Sequence, residues 1–524
     1  MSTSSILVID VGTSGLRAGI VRDDATIDAL HYREFAPDTP FPGLVEFDAA
    51  EMARHVLDVA RAALEMGGPV AAVGVTNQRA STIVWDRRTG QPLGPALGWQ
   101  DLRTVNECIV ARSEHGLALA PNQTATKAVS ILASAIGDRV AIASRAHDVC
   151  IGTVDSWIVW TLTRGSLHVT DHSNAAVTGL CEITSSKGPL WHQRACSALG
   201  IPSEMLANIV TSSGVIGEAS ALPGSPVIAS LVGDQQASLL GQSCVRPNMV
   251  KSTFGTGGMM NVCLDTRAPA DSARTVNGTF PIVAWSSNST ASSSTDIVST
   301  DIVWGAEAIM LSAGTNIEWL RDDLGLIDSA SESHDVAQEC PSSDGVVFVP
   351  ALLGLGTPSW DYGARGTLLG LTRGSTRAHV VRAVLEGVAH RGADLLESLI
   401  RDHPSIDPSG IAIAENRNAE LRNAELRIDG GMSRNPTFVQ ALANATGRSI
   451  SVSPVTEATT LGAAYLAGLA VGTWSGLADI EALWSPATTV DPDPSVDRDE
   501  SRRKWEKAVT RAAEWIPELS VLDF

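Results

Sequence analysis

A strand that runs into a glycine turn and leaves it as a second strand occurs twice in this chain, some 240 residues apart. The first unit is Ile6-Leu7-Val8-Ile9, then Asp10-Val11-Gly12-Thr13-Ser14-Gly15, Arg17 and a strand over residues 18–21. In the second, residues 250–254 lead into Gly255-Thr256-Gly257-Gly258 and residues 259–264 lead away. Short apolar runs bounded by glycine read as buried strands. A glycine turn at such a tip lets backbone N–H groups approach a phosphate. Two such units predict two related domains, 1–245 and 246–524, each offering a phosphate loop to a cleft between them.

The intervening segments predict an α/β fold. A helix is expected over 52–64, with strands over 70–75 and 81–85. Further on come a strand over 346–353, a long helix over 379–399, a strand over 426–429, a small-residue helix over 461–471 and a charged helix over 500–513. At 524 residues the chain exceeds a single core. Residues 294–298 repeat as 299–303, and 417–421 as 422–426. Such short pairs do not make a solenoid, and they read as length changes in a hairpin and a loop.

A formal net charge of -20 argues against a nucleic-acid partner, whose phosphates would be repelled. It does not argue against ATP, held locally by backbone N–H groups, a few basic residues and Mg²⁺. Seven scattered cysteines without a Cys-x-x-Cys pair form neither a disulfide framework nor a zinc site, so a reducing cytoplasm is expected. The longest apolar stretch, 461–474, is too short for a bilayer, and the N-terminus carries no signal-peptide pattern.

Asp10 at a strand end can hold Mg²⁺ or its waters. Gly12, Thr13 and Ser14 can cradle phosphate and Arg17 can offset its charge, although an ordinary hairpin fits the same residues. Gly233-Asp234-Gln235-Gln236 follows a strand over 227–232, a position that faces the ligand crevice of α/β proteins. Phosphoryl transfer needs a group that takes the acceptor's proton, and Asp234 suits this; it suits a helix N-cap equally well. Ile428-Asp429-Gly430-Gly431-Met432-Ser433-Arg434-Asn435 offers bare backbone for a base or ribose. Its rival reading is a helix capped by Asn435 ahead of Pro436. Gln78 and Arg79 at a strand end could bind acceptor hydroxyls with Trp99 as a flat wall, or Trp99 could be core.

The ordered set of these motifs resembles the FGGY carbohydrate kinases, most closely the glycerol kinases among them, over nearly the whole chain. The resemblance is carried by Asn77-Gln78-Arg79, Thr82-Ile83-Val84-Trp85, Trp99-Gln100-Asp101 with Arg103-Thr104, Gly152-Thr153-Val154-Asp155-Ser156-Trp157 and His168-Val169-Thr170-Asp171. It continues through Gly233 to Ala237, Phe254 to Gly257, Gly366 to Leu371, Asp429-Gly430-Gly431 and Thr460 to Ala464. It implies two actin-like (ribonuclease H-like) ATPase domains closing on ATP and a small polyol or sugar. It further implies nucleotide contacts at Gly12, Thr13, Ser14, Arg17, Thr256, Gly257, Gly314, Gly430, Gly431 and Asn435. Asp10 and Asp234 would lie near Mg²⁺, Asp234 would be the catalytic base, and Arg79, Trp99, Asp234 and Gln235 would line the acceptor pocket. A homo-oligomer, dimer or tetramer, is compatible with it.

The departures gather on the acceptor side. Where the glycerol kinases carry Glu after Gln-Arg, this chain has Ala80; Asn122 stands for an acceptor Tyr, Ser130 for a Trp, and the segment 99–127 is shorter. On the nucleotide side Glu318 stands for a Gln. A lost carboxylate leaves hydroxyls unpaired at about 1–3 kcal/mol each, so the acceptor is expected to be a larger polyol or ketose, such as a tetritol or pentitol. The short loop over 218–226 predicts no sugar-bisphosphate inhibition. A non-kinase actin-like ATPase and a catalytically degenerate sensor are the rival functions.

Overall fold

The computed structural model describes residues 4–184, 188–288, 300–403 and 425–522. Residues 294–298 and 417–421, the first copies of the tandem pairs, lie outside them. In the first half of the chain the main strands are β1 (Ile6–Val11), β2 (Gly15–Val21), β3 (Ile27–Glu34), β4 (Ala72–Asn77), β5 (Ser213–Glu218) and β6 (Val227–Gly233). In the second half they are β7 (Val250–Phe254), β8 (Gly258–Cys263), β9 (Phe280–Asn288), β10 (Thr300–Met310), β11 (Leu426–Asp429), β12 (Ile450–Val452) and β13 (Thr488–Val490). They join in one 13-stranded sheet, ordered β13-β12-β11-β7-β8-β10-β9-β5-β6-β4-β1-β2-β3.

The same local plan recurs in each half. β1 pairs antiparallel with β2 across the first glycine turn and parallel with β4, which in turn pairs parallel with β6. β7 pairs antiparallel with β8 across the second turn and parallel with β11. Strands central in such a sheet are covered on both faces, and every residue of β1 and β4 is buried, which is why β1 reads as an unbroken apolar run.

Helices cover the faces. The principal ones are α1 (Ala49–Gly67), α2 (Thr124–Ala135), α3 (His172–Ala176), α4 (Asp234–Gly241), α5 (Thr315–Asp322), α6 (Glu332–Gln338), α7 (Arg377–Asp402), α8 (Pro436–Thr446), α9 (Ala458–Val471) and α10 (Arg498–Ala512). α1 starts where Asp48 accepts the Glu51 N–H, and it buries Met52, Val56, Val59, Ala60 and Ala63 at helical spacing. α9 reads as all-apolar because it is enclosed, packing on α4, β4 and β6. It approaches α4 so closely that a Cβ on Gly462 would meet the Ala237 carbonyl at 1.8 Å, and one on Gly241 the Ala458 carbonyl at 1.8 Å.

The strand expected over 346–353 is confined to Val347–Val349, because Pro350 has no N–H to continue the ladder. All seven cysteines are free. Among the described residues no helix is long and apolar enough to cross a membrane.

Candidate active site

The first turn is closed by the Gly12 N–H donating to the Gly15 carbonyl at 2.9 Å. Gly12 and Thr13 are half-buried and Ser14 is exposed, while Asp10 behind them is only 4% exposed. The Asp10 carboxylate accepts from the Thr459 hydroxyl at 2.8 Å and lies 3.7 Å from the Arg17 Nε. Burial raises its pKa, with Arg17 and the Thr459 hydrogen bond opposing. Arg17 is not free: its guanidinium also pairs with Glu457 at the start of α9.

In the second turn Thr256 is exposed, and its carbonyl accepts from the Ala313 N–H at 2.9 Å. The Gly314 N–H donates to the Gly255 carbonyl at 2.8 Å, and a Cβ on Gly314 would sit 2.6 Å from that oxygen. Gly257 would bring a Cβ within 3.0 Å of the Met310 carbonyl. The nucleotide-side candidates Gly430 and Gly431 follow β11. Gly430 adopts φ +88°, and a Cβ on it would sit 2.5 Å from the Phe254 carbonyl oxygen, whereas Gly431 is exposed with open space above it. Asn435 caps α8 by accepting from the Phe438 N–H, as its rival reading had it, and donates its amide to the Ser333 hydroxyl on α6 at 2.9 Å.

Asp234 is not a helix cap. Gly233 occupies that place without a side-chain bond, and the Asp234 carboxylate accepts only the adjacent Gln235 N–H, at 2.7 Å, among the described residues. It is 27% exposed to the cleft, with the Arg79 Nε at 3.5 Å. Enclosure by protein pushes its pKa up to about 6; Arg79, the Gln235 N–H and Lys251 pull it down and Asp10 adds to the rise. The strand tip that carries it is anchored from behind. The Gly233 N–H donates to the Ser173 hydroxyl at 2.9 Å, and that hydroxyl donates to the buried Asp171 carboxylate at 3.0 Å. Asp171 also accepts from Ser212 and from Asn174, whose amide pairs with Asn77 at the tip of β4. Such a fully satisfied buried network holds one geometry.

Of the acceptor candidates, Arg79 and Gln235 lie beside this carboxylate. Trp99 is half-buried rather than core, and its indole N–H donates to the Thr13 hydroxyl at 3.0 Å, so the wall touches the first phosphate turn. Gln235 accepts from the Lys251 ammonium at 3.0 Å. Lys127, fully buried, donates to the carbonyls of Gly98 and Asn122, each at 3.0 Å, and burial lowers its pKa to about 7. The Thr124 hydroxyl donates to the Ala80 carbonyl at 3.2 Å. The carbonyls of Ala80, which has φ +61°, and of Asn122 are thus both tied to α2, through Thr124 and Lys127.

Three charged neighbours were not singled out from the sequence. Glu307 on β10 meets Arg79, Lys251 on β7 meets Gln235, and Glu457 meets Arg17. The signal for the first two is a charged residue inside an otherwise buried strand, a placement that requires a partner.

Among the described residues no three His, Cys, Asp or Glu side chains gather as a metal cage. Mg²⁺ with a nucleotide does not need one, since it keeps waters and takes one or two carboxylates plus phosphate oxygens. The donor set of Asp10 and Asp234, two buried-side carboxylates that feel each other's charge, fits that chemistry.

Residues 5–241 match the N-terminal domain of the FGGY family of carbohydrate kinases and residues 250–471 its C-terminal domain. Glycerol kinase of Rhodopirellula baltica is 36% identical, the alignment covering all of this chain and 93% of that protein. Glycerol kinase of Trichlorobacter lovleyi is 39% identical over 98% of this chain and 99% of its own length. The crystal structure of Plasmodium falciparum glycerol kinase with ADP superposes with a TM-score of 0.83 at 26% identity, covering 98% of each chain. Xylulose kinase from Lactobacillus acidophilus shares the fold with a TM-score of 0.78 at 20% identity over 99% of each chain. This chain belongs to the FGGY family of carbohydrate kinases, phosphotransferases with an alcohol group as acceptor.

Proposed function

We propose that the chain transfers the γ-phosphoryl of ATP to a hydroxyl of a small polyol, with Asp234 as general base, in the cytoplasm. Residues 1–245 supply the acceptor pocket, the first phosphate turn and the base, and residues 246–524 the second turn and the nucleotide side. The observation that carries the reading is the Asp234 carboxylate. It stands at a strand tip between both glycine turns, spends only one hydrogen bond on the backbone, and lies beside Arg79.

In this reading Arg79 and Gln235 orient the acceptor against Trp99, and Asp234 accepts the proton of the attacking hydroxyl. The peptide N–H groups of the two turns hold the phosphate chain in line with that hydroxyl. Asp10 and Asp234 would hold Mg²⁺, which supplies neutralisation of phosphate charge when bound. The test is Asp234→Asn: phosphorylation is lost while nucleotide binding by calorimetry stays near the wild-type value. Unchanged turnover would remove the base assignment.

A second reading of the acceptor is favoured by Ala80 and Asn122, where the glycerol kinases carry larger polar groups. It takes a longer polyol or ketose. A substrate panel in which glycerol gives much the highest kcat/KM would sink it.

A further inference from the structure

Arg79 lies between two carboxylates from opposite halves of the chain. Its Nη2 donates to both oxygens of Glu307, at 3.0 and 2.8 Å, across 228 residues of sequence, while its Nε is 3.5 Å from Asp234. Its Nη1 is buried and has no hydrogen-bond partner among the described residues. Glu307 is itself fixed. It sits on β10 directly opposite Asn261 of β8, and the fully buried Asn261 amide donates to it at 2.9 Å. The Glu307 side chain is 6% exposed, so its charge is buried and requires the cation.

We propose that Glu307 is a positioning residue of the acceptor site: it holds the Arg79 guanidinium from the far half of the chain, so that Asp234 keeps only the 3.5 Å contact with Nε instead of a close pair. Three features support this. A guanidinium released from Glu307 has Asp234 as its nearest anion, and a direct pair there would occupy the lone pair that must receive the acceptor's proton. The two hydrogen bonds from Nη2 to both Glu307 oxygens hold that end of the guanidinium, which a single longer contact to Asp234 cannot do. The Asn261–Glu307–Arg79 chain links the sheet beside the second glycine turn to the acceptor pocket, so the pocket takes its shape only when both halves are in register.

The proposal rests on Arg79 binding the acceptor, and the test separates the two. Glu307→Gln, Arg79→Gln and the double variant are assayed for kcat and KM of the acceptor and of ATP, with thermal melts. Glu307→Gln is expected to lower acceptor kcat/KM by about 30-fold, the scale of a hydrogen bond to a charged group. The KM of ATP should stay within about twofold, because no nucleotide contact runs through this pair. In the Arg79→Gln background the same change should cost less than about threefold, since its effect passes through Arg79.

Glu307→Gln with unaltered acceptor kcat/KM, or with its full cost in the Arg79→Gln background, would overturn the positioning role. Equal rises in both KM values with a lowered melting temperature would also overturn it, in favour of a purely structural contact. Arg79→Gln without effect on the acceptor would remove the underlying reading, and the proposal with it. Should Glu307→Gln not fold, Glu307→Asp, which keeps a carboxylate for Arg79 but shortens its reach, takes its place: lowered acceptor kcat/KM with unchanged ATP KM supports the role, and unaltered acceptor kcat/KM overturns it.

Discussion

The nucleotide and acceptor sides proposed for the cleft are built differently. The phosphate side is made of backbone: Gly12 closing on Gly15, Gly314 on Gly255 and Gly430 pressed against Phe254. The proposed acceptor side is held by charged side chains, each reaching a partner on another element. Arg79 meets Glu307, Lys251 meets Gln235, and Lys127 meets the carbonyls of Gly98 and Asn122. Backbone loops of this kind accept no side-chain variation and bind what any phosphate ester presents. A lattice of side chains can be re-cut for another alcohol while the loops stay as they are. On that reading, a chain 36% identical to a glycerol kinase can carry both glycine turns and still have Ala80 and Asn122 near its proposed acceptor pocket.

The comparison is broken most severely at the one residue both sides share. Asp234→Asn should lower kcat by roughly 10³–10⁴-fold, the upper range for a general base, and leave ADP affinity within about twofold by calorimetry. A large change in ADP affinity would mean that this carboxylate belongs to the nucleotide side instead.

Next comes a change confined to the backbone side. Gly430→Ala places a Cβ 2.5 Å from the Phe254 carbonyl at φ +88°. Strain of about 1–3 kcal/mol is expected there, raising the KM of ATP by roughly 5- to 100-fold with the acceptor KM little altered. An equal rise in both constants would erase the division between the sides.

On the acceptor side, Lys127→Met should raise acceptor KM by about 10-fold through release of the Gly98 and Asn122 carbonyls, with ATP KM unchanged. Steady-state kinetics on the two substrates separates these outcomes.

The mildest probe is pH. Burial raises the Asp234 pKa to about 6, so its charged, proton-accepting form predominates above that pH and is lost below it. Acceptor kcat/KM should therefore be level near pH 7.5 and fall as pH drops through about 6, approaching tenfold per unit on the acid side. An acid limb near pH 4 would indicate that the carboxylate is far more solvated than its enclosure implies.

What was legible in the sequence follows the same division. The turn at Asp10 to Gly15, the strand Leu426–Asp429 and the strand Val250–Phe254 were readable because glycine placement and apolar runs are local signals. The tip of β6 was readable as a strand end, while the expected role of Asp234 came from the resemblance and not from its local residues. Whether a carboxylate there caps its helix or faces a cleft depends on the turn geometry, and only the fold shows Gly233 in the cap position. The Arg79–Glu307 pair was not legible at all, since β10 brings Glu307 to Arg79 only after the sheet has formed. Its trace in sequence is faint: one carboxylate in the run Trp304 to Met310, where each neighbouring residue is apolar and mostly buried. Pro350, which ends a strand early, shows the reverse case, a local rule overlooked in favour of a longer apolar run.

The central claim is that an alcohol held beside Asp234 receives the phosphoryl group. The most direct measurement is ADP release by the wild-type chain and by Asp234→Asn across triols, tetritols, pentitols and ketoses. Turnover that requires one of these alcohols, and that Asp234→Asn abolishes, is the predicted result. ADP release at one rate with and without every alcohol, unaltered in Asp234→Asn, would contradict it.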